Sequence, residues 1–249
     1  MNRSFLSVLL VLSLHCSVGL AALPTMSIDT TPTWTGGGAA PLGGNGVSTY
    51  GQSFLVPSYA PTLESFAFYI DEHDNGPPVS FRAYVAPWDN LSDSLSGPFL
   101  FVSAVTTSTN NQGAGGWERI EFDTNSLLLN ANETYIAFLA TFGLFDSIDE
   151  ELKAGLVNGN PYSDGRFYFF AANANTAQLD SLYGPNNDWA VLTSSGDNRD
   201  LATVLVFSVP EPSTALYLVL ALLVLLGRVA LNLRRASRWH LRSQPSTAS

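Results

Sequence analysis

Hydrophobic and polar residues alternate in short runs along most of this chain, and the runs are separated by Gly, Pro, Asn and Asp. Strict alternation places successive side chains on opposite faces of a strand, whereas an amphipathic helix repeats near 3.6. The segment VSFRAYVA (79–86) is the clearest case. Val79, Phe81, Ala83 and Val85 fall on one face, and Ser80, Arg82 and Tyr84 on the other. LESFAFYI (63–70) puts Phe66, Phe68 and Ile70 together, and GWERIEFD (116–123) sets Ile120 and Phe122 against Arg119 and Glu121. Further strands are predicted over 50–56, 98–105, 134–141, 166–170, 189–192 and 200–209. SIDEELKAGL (147–156) reads as a short surface helix. Residues 23–48, rich in Gly, Pro and Thr, read as an entry loop with room for one edge strand around Trp34.

Many short strands with turn residues between them predict an all-β body over 23–208. Two antiparallel sheets would bury their apolar faces on each other in a jelly-roll-like sandwich. A closed barrel is the competing architecture. A body of roughly 185 residues is long enough to build its own core.

The two ends of the chain follow different patterns. Residues 1–22 carry Arg3, an apolar run from Phe5 to Leu14 and small residues at Gly19 and Ala21, the order of a secretory signal peptide cleaved near Ala21. The single cysteine, Cys16, lies in that leader behind His15, where a lipoprotein box has a small residue. The mature chain would hold no cysteine, so packing rather than disulfides must stabilise it.

At the other end, the apolar pattern predicts a helix over about 214–233. At ~1.5 Å per residue its apolar stretch from Ala215 to Leu233 is about 29 Å long, the depth of a bilayer core. Arg228 interrupts the run at an insertion cost of roughly 2.5–3.5 kcal/mol at mid-membrane, less where its stem reaches the headgroups. Arg234 and Arg235 follow directly, and Arg238 and Arg242 lie in the tail over 237–249. Cations stay on the cytoplasmic side, so this helix and the signal peptide both direct the body outward.

Between body and helix stands Val209-Pro210-Glu211-Pro212. Each proline fixes φ and lacks an N–H, and each biases the residue before it toward extended geometry. Ser213 can then cap the helix. An extended, exposed segment at fixed height above a membrane suits a membrane peptidase; it equally serves as a spacer between strand and helix.

VPEPST, the apolar helix and the arginines, in that order over about 209–236, resemble the PEP-CTERM sorting domain of exported proteins of Gram-negative bacteria. The resemblance implies recognition and cleavage by an exosortase, an integral-membrane enzyme resembling cysteine transpeptidases. It also implies association with exopolysaccharide or biofilm export. Pro210, Glu211 and Pro212 match the motif, and Arg234 and Arg235 match its basic cluster; Arg228 and the ASRWHLRSQPSTAS extension depart from it. The body, through TYGQSFLVP, VSFRAYVAPWD, GGWERIEF and DLATVLVF, resembles a loose class of exported jelly-roll modules, which implies a fold and no activity.

The net charge is −10, yet five of the eleven cations lie at or beyond Arg228 and one, Arg3, in the leader. The body keeps Arg82, Arg119, Lys153, Arg166 and Arg199 against nearly all the carboxylates, which argues against nucleic-acid binding. DEHDNG (71–76) fails as an EF-hand, because His73 and Arg82 stand at its third and twelfth positions. A looser calcium site with Asp71, Asp74 and Asn75 competes with a plain hairpin turn. With His73 the one histidine outside leader and tail, a zinc cluster has too few ligands, and no GxSxG elbow supports a serine triad. A glycosidase needs two carboxylates, and nothing selects a pair. No catalytic residue, metal or cofactor is therefore expected.

Tyr84, Trp88, Trp117 and Trp189, on polar faces or near turns, are the candidates for stacking on sugars. Core packing is the alternative for each. The expected function is a structural or adhesive surface protein, with a carbohydrate-binding module for exopolysaccharide as the alternative.

Overall fold

The computed structural model describes residues 24–43, 47–72, 76–144, 151–170, 182, 189–191, 199–209, 223–226 and 228. The leader, Pro210, Glu211, Pro212, Arg234, Arg235, Arg238, His73, Asp74 and Asn75 lie outside them. The chain divides into one unit over Met1–Val209 and another over Pro210–Ser249.

Among the described residues of the first unit, the strands are β1 (Thr25–Asp29), β2 (Gly38–Leu42), β3 (Thr49–Leu55), β4 (Thr62–Glu72), β5 (Ser80–Asp89), β6 (Ser94–Leu95), β7 (Phe101–Val102), β8 (Thr106–Thr107), β9 (Glu118–Leu128), β10 (Thr134–Ala140), β11 (Leu152–Val157), β12 (Phe167–Phe170), β13 (Trp189–Ala190), β14 (Asp200–Leu201) and β15 (Thr203–Ser208). They form two antiparallel sheets. In the first, β4 lies between β9 and β15, β1 pairs with β15, and β11 pairs with β4, β2 and β14. In the second the order is β13-β12-β3-β10-β5, and the far edge of β5 is covered by β6, β7 and β8.

Successive long strands change sheet at every step: β3, β5, β10 and β12 belong to the second sheet, and β4, β9, β11 and β15 to the first. β4 and β5 therefore lie in different sheets and do not pair with each other as the hairpin expected over 71–76 requires; residues 73–75 lie outside the described residues. Over the described part of the expected surface helix the chain forms β11 instead, while residues 147–150 lie outside the described residues. Leu152, Ala154 and Leu156 alternate, and a β-pairing partner on each side outweighs the weak helical preference of so short a charged segment. Trp34 follows a 3₁₀ turn over Thr31–Thr33 between β1 and β2, so the expected edge strand lies on either side of it.

The alternating residues meet between the sheets. Val79, Phe81, Ala83 and Val85 are buried there with Phe66, Phe68 and Ile70. Phe54 of β3 packs on Phe207 of β15 at 5.9 Å, and Phe66 of β4 meets Phe101 of β7 edge-on at 5.7 Å. One polar bridge crosses this core. The Gln52 side-chain amide donates to Asp200 at 2.7 Å, the Tyr162 backbone N–H donates to the other carboxylate oxygen at 2.9 Å, and Gln52 accepts from the Leu201 N–H at 2.8 Å. Burial dominates these hydrogen bonds and pushes the Asp200 carboxyl up to about 6.

A second apolar layer covers the outer face of the second sheet, where Tyr84, Trp88, Ile136, Phe138, Tyr168, Phe170, Leu182 and Trp189 are buried together. Burial of the side chains on both faces explains the nearly continuous apolar sequences of β10 and β12.

In the second unit residues 223–226 and 228 are helical and exposed. No helix among the described residues is long and apolar enough to cross a membrane.

Candidate functional site

The second apolar layer removes three of the four aromatic residues expected to meet sugars. Tyr84 is 3% exposed and stacks on Phe138 at 4.9 Å with an interplanar angle of 11°. Trp88 is 4% exposed, with Tyr168 at 4.5 Å and Trp189 at 5.2 Å. Trp189 is 7% exposed, and its indole N–H donates to the Leu182 carbonyl at 3.2 Å. These residues are core, because the face that alternation marks as outer is dry.

Trp117 is different. It is half-buried on the outer face of the first sheet, edge-on to Trp34 at 4.8 Å. Trp34 in turn lies 5.2 Å from Tyr69, and all three rings remain partly open to solvent. The sequence builds this shelf from below. Tyr69 alternates with Phe68 and Ile70 along β4, so it points away from the core they enter. Trp34 is extended at the end of the 3₁₀ turn, and its indole N–H donates to the Gly37 carbonyl at 2.7 Å, which fixes the ring. Two glycines let the indoles lie against the backbone. A Cβ at Gly38 would come within 2.8 Å of Trp117, and one at Gly155 within 2.9 Å of Trp34.

Polar groups rim the shelf. Arg119 stands opposite Tyr69 in the register of β9 and β4, and its guanidinium contacts Glu121 at 2.7 Å. Ser65 donates to the other Glu121 oxygen at 2.8 Å. The Arg119 contact first, and Ser65 second, hold the Glu121 carboxyl below its ordinary value, while Glu121 raises Arg119. Both remain accessible enough to exchange these partners for hydroxyls of a ligand.

The loop leading into Trp117 is strained. Asn110, Asn111 and Gln112 have φ of 50°, 49° and 56°, a left-handed turn that costs roughly 1–2 kcal/mol per residue for most side chains and less for Asn. Two carboxylates hold its start. Glu118 accepts from the Thr109 N–H and hydroxyl at 2.9 and 2.8 Å, and buried Glu72 accepts from the Asn110 N–H at 2.7 Å. Such over-determined strain is common beside binding sites.

Sequence reasoning named Trp117 as a sugar contact and put Arg119 and Glu121 only on the polar face of their strand; it missed Trp34 and Tyr69. The signal for Tyr69 was present, since the alternation that buries Phe66, Phe68 and Ile70 also turns Tyr69 outward. Asp71 is half-buried on β4, and among the described residues no group of three or more His, Cys, Asp or Glu gathers to hold a metal. At the end of the body Val209 is half-buried, and its N–H donates to the Pro24 carbonyl at 3.0 Å. It therefore completes the ladder of β15 with β1 and is not part of a free stalk. Arg228 is helical and exposed.

No protein-family model matches the chain, and no curated protein matches it. Among solved structures, the cysteine protease and lectin-like domains of Cwp84, a surface layer associated protein of Clostridium difficile, are similar at 16% identity and a TM-score of 0.41, over 67% of this chain and 33% of that one. A structure of the clostridial cysteine protease Cwp84 after propeptide cleavage is similar at 14% identity and a TM-score of 0.46, over 75% of this chain and 40% of that one. This chain therefore spans less than half the length of either.

Proposed function

We propose that this chain is a non-catalytic, exported adhesive module whose first sheet binds a polysaccharide, exopolysaccharide above all, through the shelf of Trp34, Tyr69 and Trp117. The observation that carries the reading is the shelf itself: three half-buried rings, the two indoles held against glycine backbone, with Arg119, Glu121 and Ser65 at the rim. Aromatic faces accept the C–H faces of pyranose rings, and the rim supplies donors and acceptors to the hydroxyls. A run of stacking surface with few deep contacts suits a repeating polymer better than a small substrate.

The test is native affinity electrophoresis of the full chain in gels containing a panel of exopolysaccharides. At least one polymer retards the wild type, and Trp34→Ala with Trp117→Ala abolishes the retardation while leaving the circular dichroism unchanged. Equal mobility of wild type and double variant in every polymer would refute the reading.

The tail supports a second, compatible element. The first unit closes at Val209, and the chain beyond it begins with Pro210-Glu211-Pro212, followed by the apolar run and Arg228, Arg234, Arg235 and Arg238. In this reading an apolar helix over about 214–233 holds the protein in the inner membrane with its body outside. An exosortase-type peptidase then processes the motif for display at the surface or in the matrix. Mass spectrometry of the mature C-terminus tests it: cleavage at the motif is expected, and an intact terminus in exosortase-positive cells counts against it.

A further inference from the structure

At one end of the second sheet a polar cavity of about 400 Å³ opens where four neighbouring strands begin or end. Its wall includes Ser53 of β3, Asn90 just beyond β5, Thr134 at the start of β10, and Asp164, Gly165 and Arg166 from the segment entering β12. The site lies on the sheet opposite the aromatic shelf. We propose that this cleft is a separate binding site for one neutral pyranose unit, a terminal or branch sugar, with Arg166 as donor and Asp164 and Asn90 as acceptors.

The cleft is preorganised. The Ser53 N–H donates to the Arg166 carbonyl at 3.0 Å, and the Arg166 N–H donates to the Ser53 hydroxyl at 3.1 Å. The Tyr162 hydroxyl accepts from the Leu55 N–H at 3.0 Å, pinning the start of the same segment. Gly165 lies so close to β3 that an added Cβ would fall 2.0 Å from the Ser53 carbonyl oxygen, so backbone forms that wall. The Arg166 guanidinium is aimed by two groups: its Nε donates to the Tyr168 hydroxyl at 2.6 Å, and one Nη to Asp93 at 3.2 Å. Asp93 adopts a left-handed φ of 46° to make that contact and also accepts from the Tyr168 hydroxyl at 2.7 Å.

Unspent hydrogen-bonding capacity faces the opening. Among the described residues the second Nη of Arg166 has no acceptor and Asp164 makes no hydrogen bond. Asn90 spends its amide N–H on the Thr134 hydroxyl at 3.2 Å and keeps its carbonyl. Donor and acceptors converging on a cavity of this size match the vicinal hydroxyls of a hexose. Charge selects among sugars. Asp93 neutralises Arg166 and Asp164 adds a negative charge, so the cleft disfavours an anionic sugar.

The test is titration calorimetry and saturation-transfer NMR on the full chain, using the methyl glycosides of glucose, galactose and mannose, with glucuronate as the anionic comparison. Saturable binding of at least one neutral glycoside is expected. Asp164→Ala and Asn90→Ala, both at exposed positions, should each weaken it roughly tenfold, while Trp117→Ala leaves it unchanged. Any of three results overturns the proposal: no neutral glycoside binds at concentrations up to about 10 mM, the two cleft variants bind as the wild type does, or glucuronate binds more tightly than the neutral sugars. Because the polymer is read through Trp34 and Trp117 and the single sugar through Asp164 and Asn90, failure of one site leaves the other standing.

Discussion

Lowering the pH from 7 to 4.5 should stabilise the β-sandwich, against the usual behaviour of a protein rich in carboxylates. The group responsible is Asp200, fully buried between the sheets and held by the Gln52 amide and the Tyr162 N–H. Its carboxyl is raised from 3.8 to about 6, chiefly by burial. A folded-state value above the unfolded one means that the native protein holds the proton more tightly. Stability is therefore greatest below 3.8 and falls as the pH rises through the window up to about 6. At roughly 1.4 kcal/mol per pH unit the full effect is about 3 kcal/mol, of which about 2 kcal/mol falls between pH 7 and 4.5. For a body of this size that is a rise of about 4–8 °C in the melting midpoint. Asp89 and Glu121 are held below their ordinary values of 3.8 and 4.5, so their contributions begin to be lost only at the acid edge of this window and below it. The assay is thermal denaturation followed by circular dichroism at half-unit steps from pH 4.5 to 7.5, on the wild type and Asp200→Asn. The substitution should remove the slope. Parallel profiles for the two proteins would show that burial of Asp200 does not control the titration.

Trp88→Ala should cost about 3–5 kcal/mol in chemical denaturation and leave polysaccharide binding of the folded fraction intact, because the ring packs on Tyr168 and Trp189 rather than meeting solvent. Gly38→Ala should do the reverse: the new methyl pushes the Trp117 indole from its seat, weakening polymer retardation several-fold with a stability change under about 1 kcal/mol, measured by affinity gels beside urea melts. Gly165→Ala meets backbone rather than a movable side chain, so a loss of about 1–3 kcal/mol is expected in the same melts. Replacing Pro210-Glu211-Pro212 with alanines should leave the protein membrane-bound but unprocessed, seen as unchanged gel mobility beside an exosortase-deficient strain.

Alternation along the chain revealed the inward residues of β4, β5 and β9, because a two-residue period is a local property. It did not reveal which strands pair. β4 and β5 are consecutive and joined by a turn-rich segment, yet each pairs in a different sheet. Nor does alternation say whether an outer face is wet. Tyr84 stands opposite Phe81 and Val85 in the pattern, as a surface residue would, but a second apolar layer covers it. The warning lay in β10 and β12, whose uninterrupted apolar residues leave no polar face at all. β11 was hidden by composition, since Asp149, Glu150, Glu151 and Lys153 obscure the alternation of Leu152, Ala154 and Leu156. Of the aromatic shelf, Trp117 was legible from its turn, whereas Trp34 joins it only through the register of β2 against β11.

The pairing of β15 with β1 on one side and β4 on the other has a mechanical consequence. A load entering through Val209 pulls along the axis of β15, at right angles to its ladder of hydrogen bonds. The bonds to both neighbours then share the force and must rupture together, instead of peeling apart singly. A chain drawn by its C-terminal end in flowing liquid would be loaded in its most tear-resistant direction.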